Sequence, residues 1–152
     1  MKIFGLKLVL MCLLYVLAFS LTGCDSQESE SSVRYEESVV EINESIIART
    51  EFPEYDTDVK IIRIELTNLS NNDDVWTDDA NGFIVLKQEG DKWRYIDSNN
   101  VTVFATATQI PANGTITKLC DLETHYKLPL SPGNYRIRIN VGGLVYAEFT
   151  VK

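Results

Sequence analysis

Asn71-Asn72-Asp73-Asp74 and Asp78-Asp79-Ala80-Asn81-Gly82 place four carboxylates and three amides within twelve residues. Loops this rich in oxygen suit Ca²⁺, which takes about six to eight oxygen ligands. The spacing departs from the regular Asp-x-Asp-x-Asp-Gly loop, no bidentate glutamate follows at the required distance, and Val75-Trp76-Thr77 between the two acidic pairs has the character of a short strand. Two solvated loops, holding Asp and Asn because those residues tolerate turn geometry, are the plainer expectation. Asp73, Asp74, Asp78 and Asp79 are therefore noted as a calcium question, with no metal or other cofactor expected.

Catalytic chemistry has little to build on. His125 is the single histidine, so a Ser-His-Asp relay or an imidazole metal site would have to include it. Cys120 lies five residues away and Ser131 sits in a turn beside Pro132, neither placed as an activated nucleophile. Cys120 is expected as a small buried hydrophobe, the usual fate of an unpaired cysteine inside a strand. The chain is thus expected not to be an enzyme. Glu54, Asp56 and Asp58 around Tyr55 read as a solvated edge. Trp76, Trp93, Tyr95, Tyr126 and Tyr146 offer either core or an aromatic face for a glycan or peptide, and Trp93, opening a strand beside a hairpin, is assigned to the core. Asn43, Asn68, Asn100 and Asn113, each in an Asn-x-Ser/Thr sequon, mark polar turns.

The elements that must position these residues are short and β-rich. Lys60 to Leu66 alternates, with Ile62, Ile64 and Leu66 on one face and Arg63, Glu65 and Thr67 on the other, the period of a half-buried antiparallel strand. Phe83–Gln88 and Lys92–Ile96 flank Glu89-Gly90-Asp91, whose glycine supplies the positive φ of a tight hairpin. Val101–Thr108, Thr115–Leu122, Arg136–Val141 and Leu144–Val151 complete the series, punctuated by Pro111-Ala112-Asn113-Gly114 and Gly142-Gly143. A single short helical turn is expected near Glu123 to Lys127. Short strands every 8 to 12 residues or so, with Gly, Pro and Asn between them, predict an all-β sandwich.

The N-terminus has a different plan. Lys2 and Lys7 precede the apolar run Leu8–Phe19, and small residues lead to Leu21-Thr22-Gly23-Cys24. This is the three-part anatomy of an export signal, and Leu-Thr-Gly-Cys resembles the lipobox of bacterial lipoproteins. The resemblance implies cleavage between Gly23 and Cys24, and diacylglyceryl attachment to the Cys24 sulfur with fatty acyl chains such as palmitate. The protein would then be held on the extracytoplasmic face of the cell membrane. The alternative, an uncleaved span over residues 8–23, is shorter than the roughly 20 residues a spanning helix needs. Losing residues 1–23 removes two of the 14 bases and none of the 22 acids, leaving a net charge of −10. That balance excludes nucleic acid as a partner and any basic-patch attachment to anionic lipid. Residues 25–38, mostly Ser, Glu and Gln, are expected to be a flexible tether.

Leu130-Ser131-Pro132-Gly133-Asn134-Tyr135-Arg136 resembles the tyrosine corner of immunoglobulin-like sandwiches, in which a Tyr returns its hydroxyl to backbone just upstream. Together with Thr67-Asn68-Leu69-Ser70, the Gly-Asp-Lys-Trp hairpin and the Pro-x-Asn-Gly turn, the chain is similar to bacterial immunoglobulin-like domains on surface lipoproteins of low-GC Gram-positive bacteria. The expected organisation is a lipoprotein signal peptide at 1–23, the lipidated Cys24 with an acidic tether over 24–40, and an antiparallel immunoglobulin-like β-sandwich of about seven strands over 41–152. Tyr135 has a structural role and no catalytic residue is carried over. The implied function is a displayed, non-catalytic binding or structural domain whose partner is another protein or cell-wall material. The second reading is a peptidase inhibitor or regulator that acts through sandwich loops.

Overall fold

The structure is a computed structural model that describes residues 33–37, 41–78, 83–99 and 106–152. The signal peptide, Gly23, Cys24, Asp79 and the first part of the expected strand Val101–Thr108 lie outside the described residues. Among the described residues there is no helix long and apolar enough to cross a membrane.

The fold is all-β, with strands β1 Ile46–Thr50, β2 Glu54–Tyr55, β3 Ile61–Asn68, β4 Val75–Asp78, β5 Ile84–Glu89, β6 Lys92–Tyr95, β7 Ala107–Ile110, β8 Thr115–Asp121, β9 Gly133–Asn140 and β10 Leu144–Val151. Among the described residues there is one helix, α1, which spans Leu122–His125 and is capped by Asp121, whose side chain accepts from the Thr124 amide. Three sheets form, in the orders β1-β3-β8, β2-β10-β9-β5-β6 and β4-β7. All pairings are antiparallel except β2 with β10. Among the described residues ten strands stand where about seven were expected: β1, two-residue β2 and four-residue β4 are additional, and of these only Val75-Trp76-Thr77 had the character of a strand in the sequence.

Alternation builds the core. Ile62, Ile64 and Leu66 of β3 are fully buried, and from the other large sheet Val85, Tyr135, Ile137, Ile139, Val145, Ala147, Phe149 and Val151 join the same cluster. The two sheets therefore share one apolar interior, and each buried Val, Ile, Leu or Phe side chain contributes ~1.5–3 kcal/mol by leaving water. Gly90, at φ 61°, makes the β5–β6 turn. Tyr135 is 1% exposed, stacks on Phe149 and donates from its hydroxyl to the Ser131 carbonyl oxygen at 2.6 Å.

Asn68, at the end of β3, is a buried amide rather than a surface turn. Its Nδ2 donates to the carbonyl oxygens of Asp73 (2.8 Å), Ile110 (3.2 Å) and Pro111 (3.2 Å), and its Oδ1 accepts from the Ser70 amide at 2.9 Å. One side chain thereby ties the loop after β3 to the end of β7.

Tyr126, 5% exposed behind α1, does the same for the start of β5. Its hydroxyl donates to the Phe83 carbonyl oxygen at 2.5 Å and accepts from the Val85 amide at 3.0 Å. Burial pushes the phenol up to about 12, opposed by the Val85 hydrogen bond. The native state therefore holds this proton more tightly than the unfolded chain, whose tyrosines titrate near pH ~10. The stabilisation is fully present below that pH and lost as pH rises through about 12. Urea midpoints of the unaltered chain are expected to fall between about pH 10 and 12. Tyr126→Phe should cost about 1–3 kcal/mol at neutral pH, through the orphaned Val85 and Phe83 groups, and should shallow the alkaline fall. An alkaline fall of equal depth in both proteins would refute this role for Tyr126.

Candidate functional site

The outer face of the five-stranded sheet holds the most concentrated polar chemistry in the described structure. Along β9 the pattern Tyr135-Arg136-Ile137-Arg138 sends the aliphatic and tyrosine side chains inward and both arginines outward. Strand register then sets their neighbours. Tyr146 of β10 lies opposite Arg138, while Leu86 of β5 lies between Arg136 and Tyr95 of β6. Leu86 is on the outer face by register yet 0% exposed, so this face is covered.

Part of the cover is the chain's own residues 33–37. Tyr35 forms an antiparallel bridge with Arg94 at the free edge of β6, the Glu36 amide donates to the Trp93 carbonyl oxygen at 2.9 Å, and the Tyr95 amide donates to that of Arg34 at 2.9 Å. The Tyr35 hydroxyl donates to Glu89 Oε2 at 3.2 Å, and Arg94 Nε pairs with Glu89 Oε1 at 2.5 Å. That guanidinium holds the Glu89 carboxyl below its usual range. Residues 33–37 fall within the stretch expected to be a free tether, and their docking corrects that expectation for the part described. The stretch is indeed too polar to bury apolar area. It docks through edge-strand hydrogen bonds and one buried acid, neither of which hydrophobic composition reports.

That acid is Glu36. Its side chain is 3% exposed. Oε2 pairs with Arg136 Nη2, while Oε1 accepts from Arg138 Nη1 at 3.2 Å and from the Tyr146 hydroxyl at 2.9 Å. Arg138 Nη1 also donates to the Tyr95 hydroxyl at 2.7 Å. The Arg136 guanidinium lies 4.2 Å from the Trp93 ring centre and 4.1 Å from that of Tyr146, an aromatic clamp that orients its planar fork. Its Nε is buried without a hydrogen-bond partner. Burial, with Glu36 adding to it, pushes the Tyr146 phenol up to about 12. Beside the carboxylate lies a hollow of ≈ 450 Å³ whose walls include Glu36, Lys92, Trp93, Arg136 and Tyr146. Chemically, the face gathers charge-assisted donors on two arginines, a phenol donor and aromatic walls around one carboxylate, that of Glu36.

The residues singled out from sequence are distributed differently. Trp93 is not core: it is half-buried on the outer face as one wall of the Arg136 clamp, because the β5–β6 register places it opposite Gln88, on the side of the pleat that carries Leu86, Tyr95 and Arg136. Tyr95 and Tyr146 share that face, Tyr126 is in the core, and Trp76 is 56% exposed on β4. Asp74 has both carboxylate oxygens engaged, Oδ1 by the Ala112 amide at 2.9 Å and Oδ2 by the Gln109 side chain, so it fastens the turn after β7. Asp73 contributes its backbone carbonyl to Asn68; Asp79 lies outside the described residues. Among the described residues, no group of three or more His, Cys, Asp or Glu side chains could hold a metal ion. Cys120 is buried, and burial with Asp121 beside it pushes the thiol up. Ser131 Oγ accepts from Lys87 Nζ at 2.6 Å, and His125 closes α1. Glu54 pairs with Lys152 at the outer edge of β10.

Glu36, Arg136 and Arg138 escaped the sequence reading. A signal for the arginines was present: two of them at i and i+2 on a strand whose alternate residues are apolar must share the outward face. Nothing in the order of residues told which of 22 acids would meet them.

No protein-family model and no curated protein matches the chain. Among solved structures, a β-glucosidase from Erythrobacter marinus aligns over 79% of this chain and 16% of its own, with a TM-score of 0.42 and 10% identity. A β-glucosidase from Listeria innocua, in complex with glucose, aligns over 70% of this chain and 16% of its own, at 0.34 and 12%. The chain thus spans a small part of either enzyme, and likeness at this level assigns neither family nor activity.

Proposed function

We propose that the protein is a lipid-anchored lipoprotein of the extracytoplasmic membrane face, displaying a non-catalytic immunoglobulin-like domain that binds another protein or cell-wall material. Leu21-Thr22-Gly23-Cys24, behind a basic and then an apolar segment, carries the anchoring half. Support for the domain type comes from sheet order. β1-β3-β8 facing β10-β9-β5-β6 follows the A-B-E and G-F-C-C′ arrangement of such sandwiches, and Tyr135 returns its hydroxyl to Ser131 at the start of β9. Support for binding comes from the arginine and aromatic face described above. Anchoring is physically adequate, because each buried CH₂ contributes about 0.8 kcal/mol and two acyl chains on one residue hold stably.

In bacterial cells fed an alkyne-bearing palmitate, the unaltered protein should take up label and enter the detergent phase on cloud-point separation. Cys24→Ala should lose the label entirely and leave the precursor uncleaved. Label retained by Cys24→Ala would sink the anchoring assignment.

A further inference from the structure

We propose that the outer face around Arg136 is a binding site for an extended acidic peptide, held closed in cis by Arg34-Tyr35-Glu36. The proposal deepens the binding reading above by naming a site and the chemistry of its ligand.

The geometry separates two recognition elements. The edge of β6 offers backbone groups that pair with an extended chain, as they do with residues 34–36; this is strand addition, which is indifferent to side chains. Selectivity comes from the receptor beside it, where Arg136, Arg138 and Tyr146 all converge on one carboxylate. Both arginines lie on the same strand and pair with the same acid, so their charge is committed to whichever anion occupies this point. A neutral peptide would leave two partly buried guanidiniums uncompensated.

The cis segment fills the site incompletely. Arg136 Nε, buried between two aromatic rings, finds no acceptor, and the hollow of ≈ 450 Å³ alongside is walled by Trp93, Arg136 and Tyr146 and by the segment's own Tyr35, Glu36 and Glu37, with Asp91 and Lys92 at its border. An incoming peptide that brings a further acceptor into the plane of the Arg136 guanidinium at Nε can satisfy the donor that Glu36 leaves unmet. That gain lets it compete with a segment whose attachment gives it an effective concentration of order mM. Residues 33–37 make few backbone bonds and lie on the chain between the expected anchor and the sandwich, so their release also lengthens the tether.

The test uses the full chain in detergent micelles and a fluorescent peptide copying residues 33–38, Val-Arg-Tyr-Glu-Glu-Ser, read by anisotropy. Glu36→Ala in the protein should bind this peptide at least tenfold more tightly than the unaltered chain does. Replacing the peptide's first glutamate by glutamine should weaken binding at least tenfold, as should adding Arg136→Leu to the opened protein. Equal affinity of opened and unaltered protein, or of acidic and amide peptides, would overturn the proposal. A second measurement needs no altered protein. With millimolar peptide, hydrogen exchange at the Glu36 amide of the unaltered chain should accelerate while the Tyr95 amide, re-paired by the peptide, stays protected; unchanged exchange at Glu36 would equally overturn it. Neither readout depends on lipid at Cys24, so failure of the anchor and failure of the peptide site are separable.

Discussion

Glu36→Ala is expected to release residues 33–37 from the sheet and to lower the stability of the full chain by about 2–3 kcal/mol. Removing one partner of a buried ion pair usually costs ~3–5 kcal/mol, since the other charge is left desolvated. Here the cost is capped, because the strap can lift and let water reach arginines that already keep 16% and 21% of their side-chain surface exposed. The loss should therefore be local first: exchange at the Glu36 and Tyr95 amides is expected to rise about 30-fold or more, at roughly 1.4 kcal/mol per factor of ten. Glu37→Ala, one residue on and exposed, should change stability by less than about 0.5 kcal/mol. The pair isolates the buried carboxylate from the general acidity of the segment. If both substitutions shift the urea midpoint alike, the receptor geometry around Arg136 and Arg138 contributes nothing specific.

Asn68→Asp should be more damaging, although it exchanges one atom for another of the same size. The amide nitrogen at this position faces the Asp73, Ile110 and Pro111 carbonyl oxygens in a fully buried site. A carboxylate there presents acceptors to acceptors with no solvent to screen them, and a loss of about 4 kcal/mol at neutral pH is expected. The sign with pH follows from the same contacts. Burial and facing carbonyls raise the introduced group's folded pKa above its unfolded value, so the stability it retains is fully present below an ordinary carboxylate pKa of ~3.9 and is lost as pH rises through the folded value. Relative to the unaltered chain, the variant's urea midpoint should recover in acid, when the protonated oxygen can donate once. A deficit that stays constant between pH 7 and pH 4 would show that the carbonyls around Asn68 are not what the substitution disturbs.

These two residues mark the limit of what could be read from residue order. Ile62, Ile64 and Leu66 were assignable to the core because a strand alternates sides whatever its partners are. The β5–β6 hairpin was assignable because Gly90 adopts a positive φ between two β-rich runs. Asn68 looked like a turn residue, which by composition it is. Its burial arises only when Asp73, Ile110 and Pro111, up to 43 positions away, close over it. Trp93 was misplaced for a related reason. An aromatic opening a strand has equal access to both faces, and the choice fell outward because Arg136, 43 positions on, supplies a cation for its ring.

The site shows the same division more sharply. Alternation along Tyr135-Arg136-Ile137-Arg138 determined by itself that two positive charges share one face, and the run of apolar and small residues before Cys24 determined the expectation of export and lipid. Both are local: one depends on the pleat of a single strand, the other on a short linear segment. Which acid meets the arginines was decided only by tertiary structure, 100 and 102 positions away in the chain. The physical reason is that a guanidinium attracts every carboxylate in an acidic chain alike. Only the geometry that exposes the edge of β6, and leaves Arg34 to Glu36 free to pair along it, brings one of them close enough to be buried.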